Sequence, residues 1–177
     1  MPQRKRIRVD WDDYNEGLYF LTVCTHDFSK QFGEIYESEM YLSDLGKYLE
    51  EGIKYADNDE NVSVINFVIM PNHFHIIVSA VGTRYIASAA NERKLGALKP
   101  PTHSETMAAD HHNSIISTTI GGIKAAVTRY AHKNNISFRW QERYFDHIIR
   151  NEGELEAINH YINNNIVKWK DDRFYRE

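Results

Sequence analysis

The amino-acid sequence predicts an α+β fold: an antiparallel sheet with helices on one face, and a further helix added at the C-terminal end. Three observations predict it. Apolar stretches rich in β-branched and aromatic residues recur at 17–25, 62–70, 73–78 and 143–150, as strands require. Stretches with apolar residues at three- and four-residue steps lie between and after them, which is the period of an amphipathic helix. Pro71-Asn72 separates the two middle strands, and that pair interrupts a ladder and favours a turn.

Taken in order, GLYFLTVCT at 17–25 is the first strand, with Cys24 as core filling. Leu45, Tyr48, Leu49 and Ile53 mark a helix over 43–56. The stretches VSVINFVIM and HFHIIV form a hairpin. Proline at the first loop position cannot supply the positive φ of a type I′ turn, so a type I turn or a slightly longer loop is expected. Residues 83–113 contain Pro100-Pro101 and little periodic apolar pattern, and read as a mobile loop that supplies no catalytic residue. Ile116, Ile120, Ile123, Val127 and Tyr130 mark a second long helix, with Gly121-Gly122 as a point of close packing or bending. RYFDHIIR is the last strand, and Asn151 with Glu154 three places on forms a capping box that opens a final helix to about residue 168. The first six elements, β-α-β-β-α-β, match the ferredoxin-like arrangement.

The composition bounds the function. A chain of 177 residues with 42% hydrophobic and 26% charged residues fits one domain, 1–177, with a core that needs no disulfide. No apolar run approaches the roughly 18 residues that cross a bilayer, and the basic start Arg4-Lys5-Arg6-Ile7-Arg8 is followed by Asp10, Asp12 and Asp13 rather than by a signal-peptide core. A cytoplasmic location is expected. The net charge of −4 hides an asymmetry: residues 10–60 hold fourteen acids against three lysines, whereas 115–150 hold six cations against Glu142 and Asp146. That distribution permits a polyanion to approach one side.

His73-Phe74-His75 is the sharpest local signal, because alternate residues of a strand share a face. Their Cα atoms are then about 7 Å apart, close enough for two ring nitrogens to hold one ion. On the last helix Leu155, Ile158, Ile162 and Ile166 form the core stripe, and Tyr161 and Asn165 lie one turn apart on its shoulder. Asn165 offers a carbonyl oxygen to a hard cation, with a phenol beside it. With eleven tyrosines in the chain, packing alone would also account for Tyr161.

Met70-Pro71-Asn72 before His-hydrophobic-His, and Tyr161-Ile162-Asn163-Asn164-Asn165 on a distant helix, resemble the HUH single-strand transposases with one catalytic tyrosine, in particular the REP-associated tyrosine transposases. The blocks 19–26, 67–77 and 140–150 are similar to the same pattern, so the resemblance spans nearly the whole chain apart from 83–113. Ile166 departs from it, since the family usually has proline after the asparagine. The resemblance implies a catalytic C-terminal helix, a divalent cation (Mg²⁺ or Mn²⁺) on His73, His75 and Asn165, and Tyr161 as the nucleophile that forms a 5′-phosphotyrosine on single-stranded DNA beside a hairpin. Related transposases include monomers and homodimers, and either is compatible.

Further residues are expected to assist. Trp140, Gln141 and Tyr144 are candidates to stack on or contact bases, with core packing the alternative for Trp140, and Lys168 is a candidate to support a phenolate or a DNA phosphate. Asp146 and His147 are candidates for orienting a ligand. Arg4, Lys5, Arg6 and Arg8, in a basic arm over 1–9, suit a DNA backbone. The competing readings are a metal-dependent single-strand nuclease in which water attacks, a domesticated hairpin-DNA-binding protein without cleavage, and a structural metalloprotein.

Overall fold

The structure, a computed structural model, describes residues 17–80 and 114–176. The basic arm, the segment 83–113 and its three histidines lie outside the described residues. In chain order the elements are β1 (Gly17–Cys24), β2 (Gly33–Tyr36), β3 (Glu39–Leu42), α1 (Asp44–Ala56), β4 (Val62–Met70), β5 (His73–Ala80), α2 (Ile115–Lys133), β6 (Phe145–Ile149) and α3 (Glu152–Asn164). The main sheet runs β4-β5-β1-β6 with every neighbouring pair antiparallel. The connection from β1 through α1 to β4 leaves room for β5 between them, which is the split β-α-β unit of the ferredoxin-like fold.

Strand alternation sorts the side chains. Tyr19, Leu21 and Val23 of β1 and Phe74, Ile76 and Val78 of β5 form one core with Leu45, Leu49 and Ile53 of α1 and Ile116, Ile120, Ile123 and Val127 of α2. Each fully buried apolar side chain there contributes about 1.5–3 kcal/mol. Ser43 and Ser114 start the two helices by accepting from the N–H groups of Gly46 and Ser117. A Cβ added to Gly121 or Gly122 would meet nothing within 4 Å, so the close packing expected there is absent.

The third helix covers the other face. Leu155, Ile158, Ile162 and Ile166 pack on Leu18, Val68, Met70, Ile77 and Ile149, as the helical period predicted. Asn151 accepts from Glu154 N–H, while Glu154 Oε2 accepts from Arg150 N–H, so the capping box is present with its return bond one residue early. A bulge between Val64 and Asn66 turns Asn66 toward α3, where its amide donates to Asn159 at 2.9 Å and Asn163 at 3.1 Å.

Two features differ from expectation. The helix ends at Asn164, and the chain then turns through Trp169–Asp171 instead of continuing helical to Lys168. Burial of Trp169 and Phe174 ties this tail back to the sheet. The hairpin β2-β3 was not expected from the sequence. Its two-residue turn places Glu37 and Ser38 at φ 49° and 65°, a geometry usually signalled by Asn-Gly, which is missing here. By contrast, neither Pro71 nor Asn72 has positive φ, as a type I turn requires.

Candidate metal and tyrosine site

Antiparallel pairing puts His73 opposite Cys24 and Met70, and His75 opposite Thr22 and Val68, in the middle of the sheet on the face that α3 covers. Both imidazoles are buried, and their Nε2 atoms face each other at 3.1 Å. Phe74 points to the opposite core. The shared face predicted from the sequence is therefore present, and the two rings converge on one point.

Neighbours set the tautomer of His73. The Asn72 amide donates to the carbonyl oxygens of Phe28 (3.1 Å) and Phe174 (2.8 Å), which leaves its Oδ1 to accept from His73 Nδ1–H at 2.8 Å. His73 Nε2 consequently carries a lone pair. Thr22 Oγ1 lies 2.8 Å from His75 Nδ1, and a hydroxyl can donate or accept, so His75 is free to present either tautomer. Burial, then the charge of His75 and Arg173, holds His73 well below its ordinary pKa. Burial followed by Arg173 lowers His75 to about 3. Both rings are neutral at pH 7, as metal ligation requires.

From α3, Tyr161 brings its hydroxyl to 3.1 Å from His75 Nε2 and donates to Asp172 Oδ2 at 3.2 Å. Burial and Asp172 raise the phenol above its ordinary pKa, while Asn165 and Arg173 oppose them. Tyr161 as a residue remains 42% exposed, so the side chain is open to solvent on one side. Ligand atoms of His73, His75 and Asp172 all lie within 4.8 Å of one another. Asn165 is buried, and its Oδ1 has no hydrogen-bond partner among the described residues. Two neutral imidazoles and a carboxylate within reach of one another, with the Asn165 side chain at the adjoining Tyr161, fit a divalent cation with mixed nitrogen and oxygen preference.

The other expected residues fare unevenly. Trp140 packs against Phe32, Phe74 and Phe138 and donates to Lys124 O, so its ring belongs to the α1-α2 core and not to the histidine face. Gln141 pairs its backbone with Cys24, and its buried Oε1 has no partner among the described residues. Asp146 pairs with Leu21 and faces the α1-α2 layer, opposite to the histidines. His147 does lie on their face, but its Nε2 is 2.6 Å from Glu154, so it holds α3 instead of a ligand. Lys168 is exposed beyond the helix end, and Arg173 is the cation whose charge reaches Tyr161. Cys24 is buried, its thiol pushed up to about 12 chiefly by that burial, in keeping with core filling.

Sequence reasoning missed Asp172, Arg173 and Phe174, which return to the site after the helix has ended. Phe174 covers His73 with ring centroids 4.7 Å apart. The aromatic residues Trp169, Phe174 and Tyr175 were the available signal that this tail packs down. Thr22 was legible as a neighbour only once the register was known.

No family model matches the chain. A Haemophilus influenzae relative, described as an uncharacterized protein, is 34% identical over 179 residues, covering 97% of this chain and 93% of its own length. The chain belongs to the family of that relative. Among solved structures, a REP-associated tyrosine transposase bound to a REP hairpin is similar over 96% of this chain and 74% of its own, with a TM-score of 0.55 and 19% identity. The transposase fold inferred from the sequence motifs is thus shown at the level of architecture. Among the described residues, no helix of this transposase-like fold is long and apolar enough to cross a membrane.

Proposed function

We propose that the protein is a metal-dependent, transposase-like enzyme that nicks and rejoins single-stranded DNA at hairpins through a covalent bond to Tyr161. The observation that carries this reading is the phenol of Tyr161 lying within hydrogen-bond distance of both His75 and Asp172 in one converging cluster. His73, His75 and Asp172, with Asn165 as a further oxygen donor, would hold the divalent cation, Mg²⁺ or Mn²⁺. When bound, such a cation supplies charge stabilisation to a phosphodiester at this site.

The remaining chemistry is that of the chain. A free phenol has a pKa of about 10, so a proton acceptor must assist it at neutral pH. Asp172 Oδ2 already accepts the phenol's hydrogen bond at 3.2 Å and, with the His75 lone pair given to the cation, is the base available for its proton. Tyr161 Oη then bonds to phosphorus, the bond from phosphorus to the 3′-oxygen breaks, and the proton ends on the departing 3′-hydroxyl. The product keeps a phosphodiester, so a free 3′-hydroxyl can reverse the step and join a new strand without an energy source. The architectural likeness to a structure that holds a REP hairpin supports hairpin DNA as the substrate class.

Tyr161→Phe tests the reading. It removes one oxygen from a half-exposed ring, so the variant is expected to fold and to bind hairpin DNA with wild-type affinity. Incubation with Mn²⁺ or Mg²⁺ followed by denaturing electrophoresis should show a covalent protein-DNA band for the wild type and none for the variant. Cleavage that persists in the variant would identify water as the nucleophile.

A further inference from the structure

Arg173 occupies an unusual place for an exposed arginine. Its guanidinium carbon lies 4.4 Å from the Phe174 ring centroid and 5.3 Å from that of Phe145. No described carboxylate comes within ion-pair distance of it. The preceding residue, Asp172, holds the Tyr161 hydroxyl, and the following residue, Phe174, lies over the His73 ring. Phe145 pairs with Thr22, the residue that bonds His75, and is itself 37% exposed. The guanidinium is therefore held against two rings at the mouth of the tyrosine site, with its N–H groups uncommitted to any described acid.

We propose that Arg173 is a substrate-binding residue, whose guanidinium grips the phosphate that Tyr161 attacks while Phe145 offers a ring face to the adjoining nucleotide. This rests on the reading of Tyr161 given above and adds the group that positions its target. A guanidinium presents two parallel N–H groups matched to two non-bridging phosphate oxygens. Stacking on Phe174 and Phe145 limits the rotamers lost when the phosphate arrives. The charge of Arg173 also acts on Tyr161, His73 and His75, which places its field at the reacting centre. Asp171 and Asp172 are the nearby acids in the chain, and Asp172 is engaged by Tyr161 and by the Phe174 N–H. Lys30, over the Tyr175 ring, and Arg176, over the Phe28 ring, add two cations along the same tail.

The test uses the full-length protein, a hairpin oligonucleotide with a single-stranded flank, and the variants Arg173→Gln and Arg173→Lys. Affinity is measured by fluorescence anisotropy at several salt concentrations without divalent cation, and covalent adduct is measured with Mn²⁺. Loss of one phosphate contact is expected to weaken Arg173→Gln by about tenfold and to reduce the salt slope by about 0.7. Arg173→Lys should keep the slope, since the charge remains, but form adduct more slowly because the planar fork is gone. Wild-type slope and affinity in Arg173→Gln would overturn the assignment, leaving Arg173 as a packing residue. A wild-type protein that shows the Arg173-dependent slope yet forms no adduct would keep this inference for binding and sink the tyrosine-transfer reading. Adduct formation with an unchanged slope would sink the inference alone.

Discussion

On β5, Phe74, Ile76 and Val78 enter the layer beneath α1 and α2, whereas His73, His75 and Ile77 enter the layer beneath α3, and different forces hold the two layers. The first is a continuous apolar core. In the second, a smaller apolar cluster is supplemented by polar links: Asn66 to Asn159 and Asn163, and His147 to Glu154. The larger apolar core lies on one side of the sheet and the proposed reactive cluster on the other. A buried polar group costs stability unless it is paired, so a reactive cluster is tolerated where a second, independent core carries the fold.

Comparing adjacent residues of β5 should give the largest contrast. Phe74→Ala is expected to cost about 3–5 kcal/mol in denaturant unfolding, because it leaves a cavity in the main core. His75→Gln keeps a hydrogen-bonding partner for Thr22 and should change stability little at pH 7, but should abolish metal-dependent adduct formation. Acid separates the two faces further. His73 and His75 have folded pKa values depressed below 6.5, so the unfolded chain takes up protons that the folded chain refuses. Wild-type stability should therefore fall as the pH drops from 6.5 toward 3, and His75→Gln should fall less steeply over that window. A wild type that unfolds at the same denaturant concentration at pH 7 and pH 5 would refute the burial of neutral imidazoles.

A smaller effect is expected at Asn72, which orients His73 without approaching Tyr161 in the hydrogen-bond pattern. Asn72→Ala should weaken Mn²⁺ binding by about 10–100-fold, as for other groups that orient a ligating histidine, and calorimetric titration would measure it. Wild-type affinity in this variant would show that ring packing alone orients His73. The smallest effect belongs to the links under α3. Asn66→Ala should cost about 1 kcal/mol and speed hydrogen exchange in α3 more than in α1 or α2. Uniform exchange across all three helices would mean that the two faces open as one unit.

Much of this contrast is legible in the sequence. Alternation along a strand needs no tertiary information, so His73 and His75 on one face and Phe74 on the other follow from the order of residues. The apolar stripe of α3, its cap at Asn151, and the placement of Tyr161 and Asn165 on one shoulder are likewise local consequences of helical period. The β2-β3 hairpin was not legible, because Glu37 and Ser38 adopt positive φ without the glycine or asparagine that usually announces it. Trp140 stayed open for a related reason: a ring beside a strand can serve either face, and only packing against Phe32, Phe74 and Phe138 settles which.

The sequence by itself determined which side chains share a face within each element, since periods of two and 3.6 are properties of the backbone. Tertiary structure alone decided which elements meet. The sequence pointed to Asn165 as a ligand because it shares a helix with Tyr161, whereas the carboxylate Asp172, eleven residues after Tyr161 and past the helix end, joins the two histidines only in the folded chain. No periodicity links Asp172 to β5. Its position follows from burial of Trp169 and Phe174, which draws the tail across the sheet and brings Asp172 and Arg173 to the histidines. That return depends on the free energy of packing distant residues together, which no short window of sequence contains.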